Sequence, residues 1–370
     1  MFRITLIGLF GGILLFTACK SKEIIAPENA AFALEVPPYF GSYNERIPVD
    51  NPITQNGFQL GRKLFYETRL SADNSMSCGS CHQQAKAFTD GNAVSIGVDG
   101  IAGKVSAMSL VNLIWSDNFS WNGRDVSLEE QALDPIQNPI ELHQSLTASI
   151  EKLVAADYGA DFQAAFGSPQ ITSERIGKAL AQFERAMISS KSKYDRYLLD
   201  EYEPTMSERN GIQLFFTHPV PGLLRGGNCG DCHRGPRTSG AMEGFSGFHN
   251  NGLDSKENMD TGLFSVTNNP KDSGKFKAPS LRNIALTSPY MHDGRFMTLE
   301  EVLDHYNAGI VKSPTLDILL IEGSNEPVDP HAAVSLAITA QEKQDIIAFL
   351  HMLTDEEFIK NPQFSDPFKE

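Results

Sequence analysis

Cys78-Gly79-Ser80-Cys81-His82 and Cys229-Gly230-Asp231-Cys232-His233 decide the fold of this chain. Each is a Cys-x-x-Cys-His run, the pattern of covalent haem attachment. Two cysteines bond the haem vinyl groups, and a two-residue gap lets one turn of chain present both sulfurs to one porphyrin edge. The histidine that follows sits beneath the ring and ligates iron through a neutral imidazole. Composition alone predicts about 0.002 such runs in a chain of this length, so two copies are not accidental. Paired zinc or redox Cys-x-x-Cys sites are the rival reading, but zinc would draw both pairs together and needs no histidine directly after each. Two covalently bound haem c groups are expected.

The chain has 370 residues and five cysteines, four of them in these motifs. No thiols remain for structural disulfides, so packing and the haems themselves must hold the fold. The fifth, Cys19, ends an apolar run. Residues 1–18 read as a lipoprotein signal peptide, with Arg3 as the positive start, an apolar stretch from Ile4 to Phe16, and the small pair Thr17-Ala18. The run is too short to cross a bilayer as a helix. Leu15-Phe16-Thr17-Ala18-Cys19 resembles a bacterial lipobox, although phenylalanine is unusual at its place. Cleavage before Cys19 and lipidation of its thiol would give an exported, periplasm-facing protein anchored to a bacterial membrane. The alternative is an ordinary cleaved signal with a stray cysteine.

Formal net charge is −15. This excludes nucleic acid as a partner, because phosphates demand basic patches. It suits encounter with a basic partner such as a small cytochrome, or serves only to keep the surface soluble.

The rest of the chain is organised around the two motifs. Residues 19–55 read as a tether and lead-in. In the first half Phe58, Leu60, Leu64 and Phe65 mark a leading helix. A closing helix starts near Thr172, with Ile176, Leu180, Phe183 and Met187 on one face. In the second half Ile212, Phe215 and Phe216 mark the leading helix. The capping box Thr339-Ala340-Gln341-Glu342 opens the closing one, which continues through Ile346, Ile347, Leu350 and Leu353. Helix, haem motif, closing helix is the order of a cytochrome c domain. The expected class is mostly α, with two tandem cytochrome c-like haem domains and long loops. Their spans are 56–200 and 201–355, joined near 195–208, with a C-terminal tail at 356–370. The loop-rich stretches 83–125 and 234–298 are long enough to line a site or wrap a cofactor.

Residues 55–355 resemble the bacterial dihaem cytochrome c peroxidases, a family that includes the MauG type. Trp121-Asn122-Gly123-Arg124, Glu130-Gln131-Ala132 and Asn138-Pro139-Ile140-Glu141 carry the likeness in the first half. Phe276 to Asn283, Pro289-Tyr290-Met291-His292-Asp293-Gly294 and Thr298-Leu299-Glu300-Glu301 carry it in the second. The resemblance implies a peroxidatic haem on His82, with Glu141 as proton-transfer residue and Gln131 holding peroxide. It puts Trp121 between the haems and Arg124 against a haem propionate. The haem on His233 would receive electrons from a small cytochrome c or similar donor and pass them on. Outside the resemblance, Trp121 would read as core and Glu141 as a helix cap.

This sequence departs from the family pattern at several places. Tyr306 stands where the peroxidases have a methionine ligand, as in the MauG branch; an anionic phenolate favours ferric iron where a thioether favours ferrous. Met291 and Met297 remain alternatives, with Tyr306 as packing. Ser95-Ile96-Gly97-Val98 lacks the blocking histidine that many members carry, which implies an iron accessible without reductive activation. His143 is the nearest spare histidine, as a substitute or a surface residue. Ser120 replaces a phenylalanine before Trp121. The family's interdomain calcium would fall near Thr287 and Pro289, with Ser106 at the place of an asparagine and a weaker oxygen ligand. The family also tends to form homodimers.

Three functions follow. The first is peroxidase chemistry, reducing hydrogen peroxide to water with cytochrome-borne electrons. The second is a MauG-like oxidation of aromatic residues in a partner protein. The third is a non-catalytic dihaem electron carrier, which Glu141 and Gln131 argue against.

Overall fold

The computed structural model describes residues 29–42, 46–240, 247–329 and 331–369. The expected signal peptide, residues 1–18, and Cys19 lie outside the described residues.

Five helices frame the two halves. In the first half α1 (Gln55–Phe65) starts where the Thr54 hydroxyl accepts from Gly57 N, and α2 (Ser173–Arg185) where Thr172 accepts from Arg175 N. In the second half α3 (Met206–Phe216), α4 (Leu299–Asp304) and α5 (Ala340–Met352) each begin with a two-way capping box. Its members are Thr205 with Glu208, Thr298 with Glu301, and Thr339 with Glu342. Each box satisfies amide groups that have no partner inside the helix. The leading and closing helices expected from the apolar spacing are all present.

Both halves cross their leading and closing helices in the same way. A Cβ on Gly61 of α1 would lie 2.0 Å from Ala179 O of α2, and one on Gly211 of α3 would lie 1.9 Å from Asp345 O of α5. Only glycine permits so close an approach. Aromatic pairs lock each crossing, Phe65 on Phe183 at 5.2 Å and Phe215 on Phe349 at 4.9 Å between ring centres. All four rings are fully or almost fully buried, and each contributes roughly 1.5–3 kcal/mol by leaving water. Two apolar cores result, one around α1 and α2 and one around α3 and α5. A single two-stranded ribbon is present among the described residues, β1 (Phe248–His249) antiparallel to β2 (Phe276–Lys277), with Phe248 opposite Lys277.

The halves are more interleaved than the sequence suggests. The segment expected to be a C-terminal tail returns to the first core, where Phe358 and Phe364 are buried. Tyr66 donates to Phe364 O at 2.7 Å and Arg62 to Ser365 O at 2.7 Å. Two phenylalanines in a short proline-broken stretch carry enough apolar area to be drawn in. The short helix Lys193–Leu198 contributes Tyr194 to the second core. Packing therefore changes sides just before residue 193, ahead of the expected join.

A buried polar junction holds the halves together. Arg282, with a fully buried side chain, meets Asp195 at 2.5 Å and stacks over the rings of Phe40 and Tyr194. Tyr39 donates to the other oxygen of Asp195 at 3.0 Å. Beside it the Asn283 amide donates to Ser189 Oγ, and Ser189 Oγ to Asp355. The Asn112 side chain accepts from Ser189 N. First half, connector and second half all contribute partners. Removing one member of a buried ion pair strands the other, which costs about 3–5 kcal/mol. Arg282→Met is therefore expected to lower unfolding free energy by about 3–5 kcal/mol in urea titrations of the holoprotein. Arg209→Met, which removes an exposed pair with Glu203, should cost under about 1 kcal/mol.

Candidate functional site

The two motifs present their side chains alike. His82 Nδ1 donates to Phe88 O at 2.8 Å, and His233 Nδ1 to Pro279 O at 3.1 Å. Fixing the proton on Nδ1 leaves the Nε2 lone pair of each ring free to bind metal. Burial lowers both histidine pKa values, that of His233 to about 4, so both rings are neutral. Burial likewise pushes the Cys229 and Cys232 thiols up to about 12 and raises those of Cys78 and Cys81. None of the four is in a disulfide. Cys229, Cys232 and His233 open onto one large cavity, which Leu281, Leu303 and Leu350 help to line. Apolar walls, two thiols on one edge and one neutral imidazole fit haem c. Cys78, Cys81 and His82 offer the same donor set in the first half.

A second repeat, hidden by the unequal loops, relates the distal sides. Ser109-Leu110-Val111-Asn112 and Ser280-Leu281-Arg282-Asn283 are 171 residues apart, as are Gly123-Arg124 and Gly294-Arg295. Leu128-Glu129-Glu130-Gln131 and Leu299-Glu300-Glu301-Val302 keep the same offset. The backbones agree. Asn112 and Asn283 have φ of 58° and 65°, and Ser120 and Met291 have 63° and 74°. Phe119 bridges Asp125 where Tyr290 bridges Phe296. The frame is thus built twice and filled differently. Val302, at the Gln131 position, and Tyr306 line the second cavity. The same register puts Pro135 where the second half has Tyr306. A proline side chain has no donor atom for iron.

Tyr306 lies in a short π-helical turn, His305–Gly309, directly after α4. Such turns re-aim side chains and cluster at functional sites. Burial pushes its phenol up to about 12, while an Asn251 hydrogen bond works in the opposite direction. The Asn251 amide donates to Tyr306 Oη and to Met291 Sδ, each at 3.4 Å. The two candidate ligands, Tyr306 and Met291, therefore share one cavity and one amide. Met297 is exposed and absent from the cavity wall. His249 also lines the cavity, paired with Asp317 at 2.6 Å.

Trp121 stands on the wall of the second cavity. It lines the His233 cavity and its Nε1 donates to Ser106 O at 2.9 Å. Lys277 N donates to Trp121 O, which ties it to β2. Met108 lines the same cavity while its backbone faces the His82 ring, so one strip of chain separates the two histidines.

Glu141 is half-buried. Burial raises its carboxyl pKa, while the Asn138 amide, donating to Oε1 at 2.6 Å, and Arg124 hold it back. Its charge is felt at Cys78 and Cys81, which puts it beside the first motif. Arg124, expected against a propionate, is engaged by Asp125 and Asp134. The loop at 95–103 is pinned: Val98 N donates to Glu141 O at 2.8 Å, and a Cβ on Gly97 would meet Ile140 O at 2.2 Å. His143 is exposed and donates to Asp99 at 2.5 Å, which favours the surface reading. Gln131 closes the short helix Leu128–Gln131.

The structure brings the three residues of the expected calcium site together. Ser106, Thr287 and Pro289 line one cavity. However, the Ser106 hydroxyl donates to Met291 O and that of Thr287 to Ile284 O. Among the described residues no group of three or more His, Cys, Asp or Glu could hold a metal. A calcium ion takes six to eight oxygens, and no step is assigned to it.

Sequence reading missed Asn251, His249, Asp317 and Glu184. His249 ends the two-residue strand β1, Asn251 follows it, and Asp317 caps a short helix, all without a local motif that names them. Glu184 sits on α2 within electrostatic reach of Cys78, and burial pushes its carboxyl up to about 8. Its charge contradicts its place in a helix packed on both sides, and that was the available signal.

Mostly helical, built twice and carrying two haem c donor sets with unequal distal residues, the chain defines a dihaem cytochrome. A family model described as di-haem cytochrome c peroxidase matches residues 55–203. The methylamine utilization protein MauG of Methylorubrum extorquens is 32% identical over 312 residues, covering 84% of this chain and 81% of that one. The cytochrome c551 peroxidase of Nitrosomonas europaea is 36% identical over 253 residues, covering 66% of this chain and 71% of that one. A crystal structure of a MauG-like protein associated with microbial copper homeostasis is 39% identical. It superposes with a TM-score of 0.78 over 92% of this chain and all of that one. The chain belongs to the di-haem cytochrome c peroxidase family.

Replacing Cys78 and Cys81 together by alanine is expected to halve the covalently bound haem, from two per chain to one. A pyridine haemochrome assay on the washed, denatured protein reads this directly.

Proposed function

We propose that the protein reduces hydrogen peroxide to water at the His82 site, using electrons from a small cytochrome-like donor that enter at the His233 site. The observation that carries this is the unequal filling of the repeated frame, with Tyr306 answered by Pro135 and Val302 by Gln131. Haem, when bound, would supply the iron at which peroxide is reduced and would relay the donor's electrons to it. The chain supplies the rest. Glu141 accepts the proton of the bound peroxide oxygen and returns it to the leaving oxygen. Its raised pKa brings it closer to neutral pH, where one carboxyl serves as both base and acid. Asn138 fixes the carboxyl's orientation, and Arg124 keeps it ionised enough to act as a base. The Gln131 amide holds peroxide by hydrogen bond. Trp121 offers an indole on the wall between the sites, and the pinned 95–103 loop leaves the site open without prior reduction.

Export, cleavage before Cys19, lipid anchoring and homodimer formation belong to this reading as proposals, as do the spans 56–200 and 201–355 for the two haem domains. Tyr306 favours a second reading, oxidation of aromatic side chains in a partner protein, because a phenolate stabilises oxidised iron. Replacing it separates the two. With Tyr306→Phe, peroxidase turnover should survive within about tenfold while the absorption and resonance signals of the oxidised C-terminal haem change; unchanged spectra would remove Tyr306 as a ligand.

Glu141→Gln is expected to lower kcat for peroxide about 10²–10⁴-fold with both haems still attached. The base form of Glu141 exists above its pKa. Since that pKa is raised, the wild-type rate should fall with acidification at a higher pH than an ordinary glutamate would give. A profile of kcat/KM against pH, flat through the weakly acidic range, would remove the assigned role.

A further inference from the structure

The surface beside the second haem motif carries an apolar knob that the fold does not use. Residues 220–224 form a tight hairpin, with Val220 N donating to Leu224 O at 2.8 Å and Leu224 N to Val220 O at 2.9 Å. Gly222 makes the turn at φ +72°. At its tip Leu223 is 83% exposed, flanked by exposed Val220 and Leu224. Exposing an apolar cluster on a rigid hairpin costs solvation and gains nothing within the chain.

The hairpin is anchored to the haem site. Asn325 clamps Gly226 by two hydrogen bonds, 2.9 Å to its N–H and 2.7 Å to its carbonyl. Gly227 and Asn228, which follow, line the His233 cavity together with Cys229. The same clamp brings the 322–329 loop alongside, where Val328 is exposed. That loop adds exposed Glu322, Glu326 and Asp329. The nearby cation Arg225 is engaged by Glu342 at 2.6 Å, and His218 by Asp231 at 2.7 Å. An apolar centre rimmed by carboxylates, which outnumber the one nearby arginine that Glu342 and Glu326 both act on, on a chain of net charge −15, matches a partner with an apolar patch inside a basic rim.

We infer that the 220–224 hairpin and the 322–329 loop form the docking surface for the electron donor, a small redox protein with a basic face. The inference rests on the peroxidase reading and names where its electrons arrive. Each docking event moves one electron from the donor, which is oxidised, to the C-terminal site. Two events and two protons reduce one peroxide to two waters. Charge steers the encounter and Leu223 supplies the contact, so the complex is short-lived, as turnover requires.

The test uses the holoprotein and two reductants, a reduced small basic cytochrome c and the small molecule tetramethylphenylenediamine. Leu223→Ser and Glu326→Lys should each raise KM for the cytochrome about tenfold with kcat unchanged. Turnover with the small reductant should stay within about twofold, since it needs no docking surface. Wild-type kcat/KM for the cytochrome should also fall steeply with ionic strength. Unchanged cytochrome KM in both variants overturns the surface, as does an equal loss with the small reductant. A wild type active with the small reductant and inactive with the cytochrome overturns the basic-faced partner. If it turns over with neither, the peroxidase reading itself is lost.

Discussion

Everything distinctive in this molecule hangs on the strip Phe276–Asn283. Its first residues form β2 and hold Trp121 through the Lys277 amide. Pro279 offers the carbonyl that fixes the His233 ring. Arg282 and Asn283 then enter the buried junction with Asp195, Ser189 and Asp355. One run of eight residues thus sets an imidazole, holds the indole on the wall of the His233 cavity and ties the halves together. A shift in the junction would reach the C-terminal site through a few bonds of rigid backbone. A buried, fully partnered polar cluster suits that task, because its geometry is directional where apolar packing is not.

The same frame serves the first half through Met108–Asn112, and the difference between the sites lies in what fills it. The second half puts a tyrosine on a re-aimed turn, with an asparagine amide and a methionine sulfur beside it. The first puts proline there and adds glutamine and a buried-shifted carboxyl. Repetition makes two haem sites cheaply; divergence at positions such as Gln131 against Val302 and Pro135 against Tyr306 makes them unequal. Glu141 owes its altered pKa to burial first and to its neighbours second, so its chemistry is a product of packing.

Much of this was legible along the chain. The Cys-x-x-Cys-His motifs, the apolar spacing of α1, α2, α3 and α5 and the Thr-x-x-Glu caps are local patterns, and local patterns survive translation into structure. The return of Phe358 and Phe364 to the first core was not legible, since two aromatic residues in a short irregular stretch do not say which half they join. Asn251, His249 and Asp317 were equally silent, because a two-residue strand, its flank and a helix cap bring them together without periodicity.

The sequence by itself determined that the chain carries two haem c donor sets and that it is helical, because a Cys-x-x-Cys-His motif and helix periodicity need only residues close along the chain. It also named Glu141, Gln131, Trp121 and Tyr306. Only the tertiary structure decided that Trp121 lines the His233 cavity, which side chains surround Tyr306, and how far Glu141 is withdrawn from water. Those depend on contacts between residues tens to hundreds of positions apart, and on burial, which no single stretch of sequence records.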